Sequence, residues 1–266
     1  MRRTFPLRSI FLCLASVTAV STMLCAQSPF DGTWRENLDQ TKFSPKPIVF
    51  SVNNGMYDCS SCAPQIHVKA DGQDQSVSGQ AFDTVSVREV DSKSIEVKTK
   101  KDGKPEYEQT RSVSADGKTL TVKTTSHPQN SDQSVTGEAT ATRTAKGPSG
   151  ANETSGSWRL DKINESENGR TTTYKTNGDE LDMSNPVGES FNAKFDGKDY
   201  PVKGTYSYDS VSLKRINDHT IEETDKRGGK AISVSKITVS ADGKKMTIVS
   251  TSKLTGRVST YVAEKQ

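Results

Sequence analysis

Three observations predict an all-β protein of two tandem antiparallel meander units. Short segments alternate apolar and polar residues, Gly-containing turn pairs recur at regular intervals, and the chain repeats itself once. The alternation is clear in Val85-Ser86-Val87, Ile95-Glu96-Val97, Leu120-Thr121-Val122, Ile232-Ser233-Val234 and Met246-Thr247-Ile248. A period of two is that of a strand with one buried face. The turn pairs are Asn54-Gly55, Asp71-Gly72, Asp102-Gly103 and Asp116-Gly117, then Asn177-Gly178, Asp196-Gly197 and Asp242-Gly243. Asn, Asp and Gly tolerate the positive φ that tight hairpin turns require. No apolar pattern at i, i+3, i+4, i+7 is long enough for a helix after residue 26. A meander of so many short strands must hide its edges, by closing into a barrel or by folding into a β-sandwich. Closure is the expectation and the sandwich its alternative.

The elements follow in order. Residues 1–26 carry Arg2, Arg3 and Arg8, no acid, and an uncharged apolar run from Ser9 to Leu24. That is the pattern of a secretory signal peptide cleaved near Ala26. The run falls short of the ~20 residues that span a bilayer, so no transmembrane segment is expected in the mature chain. The leader also explains the charge. Of 36 basic and 33 acidic residues, three Arg lie in it, so 36 − 3 = 33 bases balance 33 acids in the body. A neutral, interspersed surface lacks the basic footprint of a nucleic-acid partner. The expected location is secreted or periplasmic, where Cys59 and Cys62, left after the leader removes Cys13 and Cys25, should pair.

The body divides into a first unit at 27–144, a Gly/Pro/Ser-rich linker at 145–155 and a second unit at 156–266. Thr33-Trp34-Arg35 returns as Ser157-Trp158-Arg159, Lys69 with Asp71-Gly72 as Lys194 with Asp196-Gly197, and Ser114 to Lys118 as Ser240 to Lys244. The offset stays between 123 and 126, so a whole unit is duplicated.

Gly32-Thr33-Trp34 and Gly156-Ser157-Trp158, each opening a meander, resemble the Gly-x-Trp first strand of the lipocalin and fatty-acid-binding group. The whole pattern is more similar still to secreted bacterial proteins of unknown function with duplicated lipocalin-like, calycin-type units. The resemblance implies small barrels around an apolar interior, with an Arg near the last strand packed over the Trp. Arg143 is the candidate in the first unit, whereas the second ends Tyr261 to Lys265 without an Arg.

For function, the sequence points to a non-enzymatic binding protein for a small apolar or amphipathic ligand. The alternative is an envelope or secreted structural or protein-interaction module with filled barrels. Candidate ligand-binding residues are Trp34, Trp158, Arg143, Tyr107 and Tyr206, with core packing as the competing role. No catalytic residue, metal ligand or cofactor is assigned. Cys59-Ser60-Ser61-Cys62 lacks the following His of a haem site and the helix of a thioredoxin motif, and Gly72 stands where a zinc knuckle needs a ligand. A disulfide staple is therefore preferred to a redox or metal role. His67, His127 and His219 are scattered, and Glu222-Glu223 with Asp225, beside Lys226-Arg227, has the composition of a solvated hairpin.

Overall fold

The computed structural model describes residues 28–129 and 131–266; the leader and its cleavage point lie outside them. The fold is all-β, as the alternation predicts. The strands of the first repeat are β1 (Gly32–Glu36), β2 (Ile48–Asn53), β3 (Met56–Cys59), β4 (Ile66–Lys69), β5 (Gln75–Ser76), β6 (Thr84–Asp91), β7 (Ser94–Lys101), β8 (Lys104–Val113), β9 (Thr119–Ser126) and β10 (Val135–Lys146). Those of the second are β11 (Gly156–Glu165), β12 (Thr171–Asn177), β13 (Glu180–Ser184), β14 (Ser190–Lys194), β15 (Tyr200–Pro201), β16 (Ser210–Asn217), β17 (Thr220–Arg227), β18 (Lys230–Val239), β19 (Lys245–Ser252) and β20 (Val258–Lys265). Among the described residues, the helical segments are two single 3-10 turns, Leu38–Gln40 and Glu167–Gly169. No described helix is long and apolar enough to cross a membrane.

The strands form two ten-stranded antiparallel sheets, each rolled into a nearly closed barrel. The first runs β4-β3-β2-β11-β10-β9-β8-β7-β6-β5 and the second β14-β13-β12-β1-β20-β19-β18-β17-β16-β15. Isolated bridges draw the two edges of each sheet together, Asp71 to Arg88 in the first, Ser190 to Lys203 and Asp196 to Lys214 in the second.

Repeats and barrels are not the same units. Each barrel takes nine strands from one repeat and the Gly-x-Trp strand from the other. The first barrel is the continuous segment β2 to β11; the second is β1 joined to β12–β20. In effect, one barrel is inserted into the other after its first strand. The physical reason is locality. After β10 the chain turns straight back into β11, pairing from Lys146 with Gly156 to Gly137 with Glu165 with two register shifts on the way. Had β1 taken that slot, closure would have required bridging the entire first repeat, and loop-closure entropy disfavours that by roughly 2 kcal/mol against a short hairpin loop.

The expected linker at 145–155 is consequently corrected. Ala145 and Lys146 belong to β10, and the rest is an anchored hairpin loop. Asn152, Thr154 and Ser155 are buried. The Ser155 hydroxyl accepts from the Val52 amide at 2.9 Å, and Asn152 Nδ2 donates to the Asp91 carbonyl at 2.7 Å. Its Gly/Pro/Ser content serves a turn, not a tether.

Each interior is lined by alternate residues of its strands. The first core gathers Phe50, Val52, Tyr57, Val85, Val87, Ile95, Leu120 and Trp158, the second Trp34, Tyr174, Leu181, Phe191, Leu213, Ile221, Ile237 and Met246.

Candidate functional site

The two Trp candidates are core residues sealed by a cation. Trp158 is fully buried and its Nε1 donates to the Thr154 carbonyl at 2.9 Å; Trp34 Nε1 does the same to Phe30 at 2.7 Å. The Arg143 guanidinium lies 4.0 Å from the Trp158 ring centroid, and Lys265 Nζ lies 5.1 Å from that of Trp34. Such stacking is worth about 0.5–2 kcal/mol, depending on desolvation. Arg143 thus covers the Trp of the other repeat, because β11 rather than β1 is its neighbour. The second barrel also has its cover, a Lys where only an Arg was sought. Arg143 is spent structurally: all three nitrogens donate at 2.5 Å to the carbonyls of Gly117, Ser155 and Glu153.

The glycine of Gly-x-Trp belongs to this arrangement. Gly156 has φ +141°, and a Cβ there would stand 2.4 Å from the Ala145 carbonyl oxygen and 2.8 Å from Arg143 Nη1. Gly32, at φ +124°, would meet only the flexible Lys265 side chain, at 2.9 Å. A small residue lets the covering cation lie against the strand.

A cavity of about 410 Å³ opens within the first barrel. Its apolar wall includes Ile66, Phe82, Val85 and Val97, and its polar wall Tyr107, Gln109, Glu106 and Arg111. Tyr107 therefore stands where a ligand-contacting residue would, with burial holding its phenol above the usual range. The Arg111 guanidinium sits 4.3 Å from the Phe50 ring centroid and 5.8 Å from that of Tyr57. Its hydrogen-bond partners are neutral, Gln109 Oε1 at 2.8 Å and Tyr57 Oη at 3.2 Å. With five N–H donors on the group, capacity remains toward the cavity.

The second barrel inverts this electrostatic pattern. Pairing of β7 with β8 and of β17 with β18 aligns Val97 with Glu223, Thr99 with Asp225, Gln109 with Ser235 and Arg111 with Ile237. Glu223 and Asp225 are thus inward, alternating from buried Ile221, and the expected solvated hairpin is corrected. Only the intervening Glu222 and Thr224 take the outer face. Glu223 Oε2 and Asp225 Oδ1 are shielded from solvent and lack a hydrogen-bond partner. Burial, then mutual repulsion with Asp225 and Glu189, holds the Glu223 carboxyl well above the usual range. Burial also raises the Asp225 carboxyl, partly offset by a hydrogen bond from Ser233.

Other candidates are dispersed. Cys59 and Cys62 form the expected disulfide at the end of β3. Tyr206 lies on an adjoining cleft with Glu165, Glu189 and Glu106, the last of which also lines the first cavity. His67 pairs with Asp58 on the surface, and His127 with Glu108 at 3.3 Å. Among the described residues, no three His, Cys, Asp or Glu side chains are placed to hold a metal.

Sequence reasoning missed Arg111, Glu223 and Asp225, although the signal was present. Within aligned repeats, a charge at an inward position whose counterpart is apolar, Glu223 against Val97 or Arg111 against Ile237, marks an interior that packing alone does not explain. Compared with known protein families, with curated proteins and with solved structures, the chain matches none.

Proposed function

We propose that the chain is an exported, secreted or periplasmic, non-enzymatic binding protein whose first barrel takes a small amphipathic ligand. The observation that carries this is one guanidinium, hydrogen-bonded only to neutral partners, in a cavity of about 410 Å³ with an apolar wall, where the one carboxyl, Glu106, accepts from the Thr99 hydroxyl. That volume is in the range of small-molecule sites. Arg111 receives an acidic head group, and Phe82, Val85 and Val97 face the apolar remainder. Tyr107 borders the same space; Trp158 and Arg143 close the barrel without entering it. The signal-like leader and the Cys59–Cys62 bridge support export.

Titration of the mature chain with decanoate and with decanol, followed by calorimetry, tests this. Decanoate is expected to bind, and Arg111→Gln to weaken it about tenfold while leaving decanol unchanged. Organic extraction of the purified protein followed by mass spectrometry identifies any resident ligand. Absence of binding by either probe, with nothing extracted, would sink the proposal.

A protein-interaction role in the envelope or secretome is favoured by one separate feature. A polar groove of about 620 Å³ runs where the repeats cross, bordered by Arg35, Asp39, Glu138, Lys162 and Arg170. Affinity capture from an envelope extract, with Lys162→Glu as the control, reads this out.

A further inference from the structure

The second barrel holds carboxyl groups with no cation to answer them. Glu223 and Asp225 project inward from β17, two residues apart on one face, and each keeps a shielded oxygen without a partner. Glu189, just before β14, completes the cluster, accepting from Tyr208 Oη at 2.5 Å and from Asn185 Nδ2 at 2.9 Å. Tyr174, on β12, and Tyr208, before β16, both feel the charge of all three acids. Neither the Glu223 nor the Asp225 carboxyl has a Lys, Arg or His influencing it. Burying a carboxyl without a partner costs free energy whether it stays charged or holds a proton to become neutral. A protein that carries two such groups at positions where its own repeat uses Val97 and Thr99 tolerates an expense that packing does not require.

Small neighbours and an adjoining cleft accompany the charge. The neighbours of Glu223 and Asp225 on β18 are Ser235 and Ser233, where the first barrel has Gln109 and Tyr107. Glu189 also lines a cleft of about 330 Å³ whose border contains Glu106, Glu165, Tyr206 and His127 but no Lys or Arg. The cleft therefore gives a cation a path to Glu189.

We propose that the second barrel binds a small protonated amine, its ammonium group held by Glu223 and Asp225 and approaching past Glu189, with the Tyr174 and Tyr208 rings beside it. A bare metal ion is disfavoured, because no three ligating side chains among the described residues converge tightly enough to coordinate one. An ammonium group is met by two or three hydrogen bonds and by aromatic faces, which this interior supplies. The carboxyls of the site lie in the other barrel from Arg111, although the approach cleft adjoins the first cavity, since Glu106 and Ser207 line both.

The mature chain, in phosphate buffer free of amines, is titrated with n-butylammonium, n-butanol and calcium chloride by calorimetry, with backbone amide shifts locating the site. Expected is n-butylammonium binding with shifts in β17 and β18, no response to n-butanol, and no response there to calcium. Glu223→Gln and Asp225→Asn should each weaken the amine about tenfold. Ser235→Gln, which copies the first barrel and touches no charge, should weaken it by filling the space. Arg111→Gln should leave it unchanged. Equal binding of amine and alcohol, full affinity in the folded Glu223→Gln or Asp225→Asn protein, or calcium binding on β17 without amine binding would each overturn the proposal. Circular dichroism of every variant identifies folded protein. Should Glu223→Gln not fold, Asp225→Asn and Ser235→Gln decide the question.

Discussion

The two barrels share a sealed end and differ in the middle. At the sealed end each has a Gly-x-Trp strand, a buried Trp whose indole donates to the carbonyl four residues earlier, and a cation from the last strand over the ring. In the middle, the first barrel presents Arg111 to a cavity where the second has Ile237, and the second presents Glu223 and Asp225 where the first has Val97 and Thr99. After duplication, closure tolerates little change because glycine, Trp and cation contact one another. Inward positions half-way along β7, β8, β17 and β18 can change charge with only local consequences.

The barrels also differ in continuity, and the largest predicted effect exploits that. Trp34→Ala and Trp158→Ala should each cost about 3–5 kcal/mol, as for other large core truncations. Trp34→Ala should open only the discontinuous barrel, leaving a protease-resistant fragment ending near Glu165, since β2 to β11 is self-contained. Simultaneous digestion of the whole chain would show instead that the barrels depend on each other. The seal itself is compared by Gly156→Ala and Gly32→Ala. The first should lose roughly 3 kcal/mol, because a Cβ meets the Ala145 backbone, and the second roughly 1–2, because Lys265 can move. Thermal or chemical denaturation of both variants gives the order.

Removing the disulfide with Cys59→Ser and Cys62→Ser should cost about 2 kcal/mol by the chain-entropy relation. The loss should appear in the first barrel alone; the second has Met183 at the place of Cys59 and no bridge. The smallest effect is electrostatic. Glu223, Asp225 and Glu36 have carboxyl pKa values raised by burial, Glu36 to about 7. The folded state therefore holds protons that the unfolded state releases. The stabilisation is complete below the ordinary carboxylate pKa and is lost as pH rises through the folded values. Without ligand, the second barrel should thus be less stable at pH 8 than at pH 5. Glu223→Val, copying Val97, should recover about 1 kcal/mol at pH 8 and less at pH 5. Unfolding curves at the two pH values that show the opposite slope would contradict the buried position of these acids.

Much of this is legible in the sequence. Alternation in segments such as Ile95-Glu96-Val97 and turn pairs such as Asn54-Gly55 act over a few residues, so the strands and hairpins follow from them directly; Asn54 and Gly55 both take positive φ, as a tight hairpin requires. Cys59 and Cys62 are close in sequence and pair in a compact loop. The site was less legible. Trp34, Trp158 and Arg143 stand out by residue type but serve the seal, and Tyr107 alone of the named ligand candidates lines the first cavity. Glu223 sits among Glu222, Asp225, Lys226 and Arg227, and only its inward face on β17 separates it from a solvated charge run.

The sequence by itself determined the all-β class, the duplication and the balanced charge of residues 27–266, because composition, period and repetition are properties of residues near one another or of simple sums. Tertiary structure alone decided which Gly-x-Trp strand enters which barrel. The slots beside β10 and β20 accept the same motif, so residue chemistry does not distinguish them, and the short return from β10 into β11 does. It also decided how the balanced charges of residues 27–266 are placed inside the barrels: a guanidinium with the single carboxyl of Glu106 at one cavity, and several carboxyls in the other interior.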